Sequence, residues 1–328
     1  MPIARQKFLN NEPLSVGIIA AAFSGGQPKD GVEQAPEALI KAGLCQQLTH
    51  LGWHVAFNNK FQSFDKLIDP ANDPPIGLIK NPRWVGMVCE RVAKQSQAIQ
   101  EQGRLALTLG GDHSLGLATV AGTAMAQRAL GRPEFCLIWI DAHADINTIE
   151  VTPSGNLHGM PVSFLMGLNK QLIDGFHWLR DCGIDHGVVP PHRVVYIGLR
   201  DVDEGEKVIL REHGIKAFSM HEVDKYGIGK VVEMALDHVN PQRNLPIHLS
   251  FDVDALDPSV APATGTPVRG GLTFREGHYI CEAIHETGLV VAFDVMEVNP
   301  TLGDAAQHLQ TIQIGCSLTR AALGETLL

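Results

Sequence analysis

F-C-L-I-W-I-D-A-H-A-D, residues 135–145, begins as an unbroken run of apolar and β-branched side chains and ends in three groups able to ligate a metal. A short run that is apolar at every position is the pattern of a strand buried on both faces, as in a parallel sheet. Its last residues place Asp141, His143 and Asp145 at alternate positions. In an extended chain such positions share a face, so all three are expected to project into one pocket from the end of a core strand. A surface turn that happens to be acidic is the plain alternative for a lone D-x-H. Carboxylate, imidazole and carboxylate directly abutting an apolar strand favour the metal reading.

Outward from this stretch, strands are expected at 15–20, 53–57, 104–109, 193–199, 215–219, 246–251 and 289–295. Helical patterns lie between them, at about 35–48, 84–102, 115–130, 162–168, 204–213, 229–237, 274–287 and 311–323. Residues 60–82 are rich in Pro, Asp and Asn and read as an irregular excursion. Strand and helix alternate about eight times, which predicts a single α/β domain spanning 1–328 with a mainly parallel sheet. The glycine-rich loop 23–31 has no Lys-Ser/Thr after it, so it reads as a loop beside the site's mouth and not as a phosphate cradle.

The net charge of −10 argues against a nucleic-acid partner, whose phosphates must be met by Lys and Arg. The six cysteines are widely spaced with no C-x-x-C pair and read as reduced thiols. Residues 1–13 have no apolar segment of the signal-peptide kind, the last three residues are not the peroxisomal tripeptide, and no stretch reaches the roughly 18 apolar residues of a membrane span. A cytoplasmic protein with no membrane partner is the expectation.

The candidate chemistry collects at strand ends, where open parallel sheets bind their ligands. His113 follows strand 104–109, Asp252 and Asp254 follow 246–251 as S-F-D-V-D, and Glu297 follows 289–295. Singly, each has an ordinary explanation: an Asp at a strand end often caps a helix. Asp112 and Asp294, at intervening positions, are expected to point away and to be structural. Four carboxylates and two imidazoles with no thiolate suit two divalent ions, since one ion would leave buried charges uncompensated. So oxygen-rich a set favours Mn²⁺ over Zn²⁺.

G-G-D-H-S at 110–114, D-A-H-A-D-I-N at 141–147, S-G-N-L-H-G at 154–159, S-F-D-V-D at 250–254, P-A-T-G-T-P at 262–267 and M-E-V-N-P at 296–300 together resemble the arginases, of the ureohydrolase family. The resemblance runs over most of the chain and implies a three-layer α/β/α sandwich around an eight-stranded parallel sheet. It implies two Mn²⁺ per subunit and hydrolysis of L-arginine to L-ornithine and urea, a metal-bridging hydroxide attacking the guanidinium carbon. One ion would take His113, Asp141, Asp145 and Asp252; the other would take His143, Asp141, Asp252 and Asp254. Asp145 would also orient the nucleophile, Glu297 would pair with the guanidinium, and His158 would carry a proton to the leaving amine. Asn147, Ser154 and Asn156 match the pattern that holds the substrate α-carboxylate. Asp203 with Glu206 would hold the α-ammonium, and Thr266 would line the pocket.

The family usually forms homotrimers, and that assembly is expected here. The chain stops about a dozen residues after Cys316, so an extended C-terminal tail of the vertebrate kind is not expected. Two rivals stand beside this reading. One is another ureohydrolase such as agmatinase or formiminoglutamase using the same metals. The other is a catalytically silent homologue acting as a regulatory partner, which should have lost a ligand; no ligand position departs from the pattern.

Overall fold

The computed structural model describes residues 6–10, 13–64, 67–68 and 72–326. Parts of the amino-terminal stretch, of the 60–82 excursion and of the terminal tripeptide lie outside the described residues. Side-chain alternation along each strand generates the layers. In β5 (Cys136–Ile140), Cys136, Ile138 and Ile140 enter one hydrophobic core while Leu137 and Trp139 enter another. β1 (Ser15–Ala22), β4 (Leu105–Leu109), β6 (Val194–Leu199), β8 (Ile247–Asp252) and β9 (Val290–Met296) are likewise almost wholly buried.

Helices cover both faces. α1 (Ala35–Lys41), α2 (Leu44–His50), α8 (Met220–Tyr226), α9 (Ile228–Val239), α10 (Phe274–Glu286) and α11 (Ala305–Ala322) close the first core. α3 (Pro82–Glu101), α4 (Leu115–Ala129), α5 (Pro161–Leu165), α6 (Trp178–Asp181) and α7 (Glu204–Glu212) close the second. The result is the expected α/β/α sandwich. Among the described residues no helix is long and apolar enough to cross a membrane.

All strand pairings are parallel, in the order β2-β1-β4-β9-β8-β5-β6-β7, with β2 (His54–Ala56) and β7 (Lys216–Ser219) at the edges. The eight expected strands are present. A ninth, β3 (Gln62–Ser63), pairs with the end of β1 inside the excursion, where its two residues carry no readable period. The helix expected over 35–48 is two helices, because Gly43 sits at φ 88°, a left-handed turn that a continuous helix cannot contain. The chain leaves β4 and crosses to β5, and β8 and β9 later fill the space between them. β4, β9, β8 and β5 are therefore four consecutive neighbours at the sheet's centre, and the carboxyl ends of these four carry the site.

Candidate metal centre and active site

The ligand segment after β5 is a loop, not the extended continuation the alternation predicts. Strand pairing stops at Ile140. The backbone N–H of His143 then donates to Asp141 Oδ1 at 2.7 Å, an Asx-type turn, and Asp145 adopts φ 49°. The same turn recurs at two other strand ends. The Asp254 N–H donates to Asp252 Oδ1 at 2.8 Å, and the Ser114 N–H donates to Asp112 Oδ1 at 3.0 Å. Short-range carboxylate turns thus aim the side chains where strand alternation alone would not. Glu297 is also left-handed, at φ 62°. Two non-glycine residues of one site in this region carry strain of about 1–3 kcal/mol each, a cost that clusters where geometry is functional.

His113 is fully buried, with its ring stacked on Trp139 at a centroid distance of 4.1 Å. Its Nδ1 lies 3.1 Å from Asp141 Oδ2, 3.1 Å from Asp252 Oδ2 and 3.3 Å from Asp145 Oδ2. His143 Nδ1 lies 3.1 Å from Asp254 Oδ2 and 3.4 Å from Asp141 Oδ1. Two groups of donors result, His113 with Asp141 and Asp252, and Asp141 with His143 and Asp254; Asp141 is shared. Trp139 Nε1 donates to Asp141 Oδ2 at 3.0 Å and Thr266 Oγ1 to Asp254 Oδ2 at 2.8 Å, which orient two of the carboxylates.

Electrostatics ask for cations here. Burial, then repulsion from Asp141 and other carboxylates, pushes Asp145 and Asp252 well above the usual carboxylate range, and raises Asp254 too. Burial would push His113 down, but its hydrogen bond to Asp141 and the charges of Asp141, Asp145 and Glu297 raise it to about 9. His143 is raised for the same kind of reason, chiefly by Asp254 and Asp141 acting against burial. Four buried carboxylates concentrate negative charge that imidazolium only partly offsets, and the oxygen-rich donor set fits hard divalent cations.

Glu297, 1% exposed, accepts the His113 N–H at 2.9 Å, and its Oε1 lies 3.1 Å from His158 Nδ1. Burial lowers His158, but this bond, the Glu297 charge and that of Asp112 leave it raised. Asp112 itself, raised to about 6 chiefly by burial and Glu297, accepts the Gly26 N–H; the Gly26 carbonyl accepts the His158 N–H. The glycine-rich loop thus sits beside the site, as its sequence suggests, and Asp112 ties that loop to the end of β4. Arg200 donates to the carbonyls of Asp254, Ala255 and Leu256 and so fixes the turn beyond β8.

A pocket opens above these groups, lined by His143, Asp145, Asn147, Ser154, His158, Asp203, Glu206, Asp252, Asp254 and Thr266. Asn147 Nδ2 donates to Asp203 Oδ2 at 2.9 Å, while its buried Oδ1 has no partner among the described residues. Glu206 is a brace: it accepts the Ile146 and Asp203 N–H groups in a capping box that starts α7, and burial raises it to about 7. Asn156 lies outside the lining, its Oδ1 accepting from Lys80 Nζ at 3.0 Å. Asp201 was not foreseen. It lines the pocket with its Oδ2 3.9 Å from His143 Nε2, and the signal that could have found it is its place just beyond the carboxyl end of β6.

Known proteins share this frame. The Arginase family profile matches residues 14–324. An arginase from Glaciozyma antarctica is 57% identical over 319 residues, covering 96% of this chain and 89% of the relative. The crystal structure of a cold-adapted arginase from the same yeast superposes with a TM-score of 0.78 and 49% identity, covering 100% of both chains. An Entamoeba histolytica arginase solved in complex with L-ornithine gives a TM-score of 0.79 at 26% identity, covering 99% of this chain and 100% of that one. A profile matched over almost the whole chain, these identities and a metal-ready site at the centre of the shared sheet lead to one conclusion: the chain belongs to the arginase family, a metal-dependent family.

Proposed function

We propose that the chain hydrolyses L-arginine to L-ornithine and urea as a single catalytic domain, 1–328, holding two Mn²⁺ ions. The observation that carries the reading is the convergence of His113, Asp141, His143, Asp145, Asp252 and Asp254 from three strand ends beneath one acidic pocket, with Asp141 common to both donor groups. His113, Asp141, Asp145 and Asp252 would hold one ion, and His143, Asp141, Asp252 and Asp254 the other. Bound divalent ions lower the pKa of water from ~15.7 to about 7, which supplies a nucleophile at neutral pH.

The chain's own residues then orient and move protons. A guanidinium carbon is resonance-stabilised and cationic, so its attack depends on fixed geometry. Glu297 offers a carboxylate to the planar N–H fork of the substrate. Asp145, at the pocket floor, accepts a hydrogen bond from the attacking water and sets its direction. With His158 Nδ1–H donating to Glu297, Nε2 is the ring atom left to pass a proton to the leaving amine. Asn147 and Ser154 face the α-carboxylate; Asp203 faces the α-ammonium, and Glu206 stiffens the loop that carries it. Thr266 holds Asp254 in line. Asn156 acts from the rim through Lys80. The same family reading carries assembly as a homotrimer in the cytoplasm.

Purified chain loaded with Mn²⁺ should release urea from L-arginine and not from agmatine. The reverse preference would move the assignment to the agmatinase branch.

A further inference from the structure

Asp294 is completely buried in β9, the strand next to β8, outside the pocket lining, and among the described residues no Lys or Arg pairs with it. Its Oδ1 has no partner among the described residues, and its hydrogen bonds converge on Oδ2. Three groups reach that oxygen: Thr119 Oγ1 at 2.7 Å, His248 Nε2 at 2.8 Å and Ser250 Oγ at 3.2 Å. Ser250 is its cross-strand neighbour in register, and Thr119 comes from α4 above. Ser250 Oγ in turn lies 2.9 Å from His113 Nε2.

Counting protons fixes the direction of the bonds that link Asp294, Ser250 and His113. A carboxylate only accepts, so the single hydrogen of Ser250 goes to Asp294. Ser250 Oγ is left as an acceptor, and His113 Nε2 must therefore carry the ring proton. Nδ1, the nitrogen that faces Asp141, Asp145 and Asp252, is then the one at which a bound cation would replace a proton. On the far side His248 Nε2–H donates to Asp294. His248 Nδ1 lies 2.8 Å from Thr123 Oγ1, and that hydroxyl accepts from Gln100 Nε2 at 2.8 Å. Gln127 Nε2 donates to Gln100 Oε1 at 3.1 Å and joins α3 to α4. Asp294 is thus the point at which donors from two directions meet.

We infer that Asp294, held by His248 and Thr119, is a positioning residue for the metal centre, acting through Ser250 to set the tautomer and ring orientation of His113. Without an acceptor at Asp294 the Ser250 hydroxyl is free to turn and donate to Nε2, which moves the ring proton to Nδ1 and blocks ligation. Partners of this kind behind a metal-bound histidine change metal affinity by about 10–100-fold when removed. The inference rests on His113 being a ligand, but it is read from metal binding alone and needs no arginine.

The test is a thermodynamic cycle on Mn²⁺ affinity, measured by competition with a chelator on the metal-free chain. Asp294→Leu and Ser250→Ala are each expected to weaken binding at one site by about tenfold or more. Because one acts through the other, the double variant should bind no more weakly than Ser250→Ala alone. Additive losses, or wild-type affinity in Asp294→Leu, would overturn the inference. Asp294→Asn keeps the shape and serves if the leucine variant does not fold. Its neutral carbonyl is a weaker acceptor, so affinity should fall several-fold, and the fall should vanish in the Ser250→Ala background. An undiminished affinity, or the same fall in both backgrounds, counts against it.

Discussion

Replacing His158 with Asn separates proton transfer from metal binding more cleanly than any other single change in the site. The imidazole lies in neither metal-donor group, and its one side-chain bond within the site is Nδ1 to Glu297 Oε1 at 3.1 Å. Hydrogen bonds to charged groups contribute about 1.5–3 kcal/mol. At 19% side-chain exposure, with Asn able to reach part of the same contact, the expected stability loss lies at or below the lower end of that range. The kinetic loss should be larger. A positioned general acid supplies about 10²–10⁴ in rate, or roughly 3–5 kcal/mol of barrier. Urea release from L-arginine and metal content by atomic emission, read on one preparation of His158→Asn, should show kcat down by that factor with metal content unchanged. A kcat within threefold of the parent, or loss of an ion, would refute the assignment of His158 as the shuttle.

Other perturbations address separate parts of the structure. His143→Asn removes the nitrogen 3.1 Å from Asp254 and should lower occupancy of one metal site together with activity; full occupancy by metal analysis would count against the ligand assignment. Gly155 sits at φ 69°, and a Cβ there would overlap the Leu78 carbonyl oxygen. Gly155→Ala should therefore cost more than about 1 kcal/mol, lower the melting temperature and raise KM for arginine, because the loop carrying Ser154 must shift. Bonds from the Ser259 hydroxyl and N–H, then from the Gly270 and Gly271 N–H groups, hold Asp257 down to about 2. A depressed carboxylate stabilises the fold above its unfolded pKa of ~3.9 and loses that contribution as pH falls through its folded value. The stability gap between the parent and Asp257→Asn, measured by denaturant melts, should be full at pH 7 and should close between about pH 4 and pH 2; a gap independent of pH would contradict this.

The strands were legible because burial on both faces leaves a run with no polar interruption, as at Cys136–Ile140, where the strand lies within the stretch its apolar residues mark. Two-residue β3 had no such run, and Gly43 in an otherwise helical pattern hid a break that only its left-handed backbone reveals. At the site, residue types and their positions at strand ends pointed to segments that the fold brings together. The geometry did not follow from alternation: Asp141, His143 and Asp145 converge through an Asx turn and a left-handed Asp145, in a loop with no period to read. That β4, β9, β8 and β5 are neighbours is a property of strand order, and strands as far apart in sequence as the paired Ala106 and Ala292 carry no local mark of it. Asp294 was rightly placed away from the pocket, but its line through Ser250 to His113 requires β9 to lie between β4 and β8.

A two-ion site that acts on L-arginine is the reading on which the His158 and His143 predictions depend. Metal content and substrate preference measured on the same Mn²⁺-loaded preparation test it most directly. Two tightly held ions per chain, with urea released from L-arginine and not from agmatine, are expected. One ion or none in a folded chain, or release from agmatine alone, would contradict it.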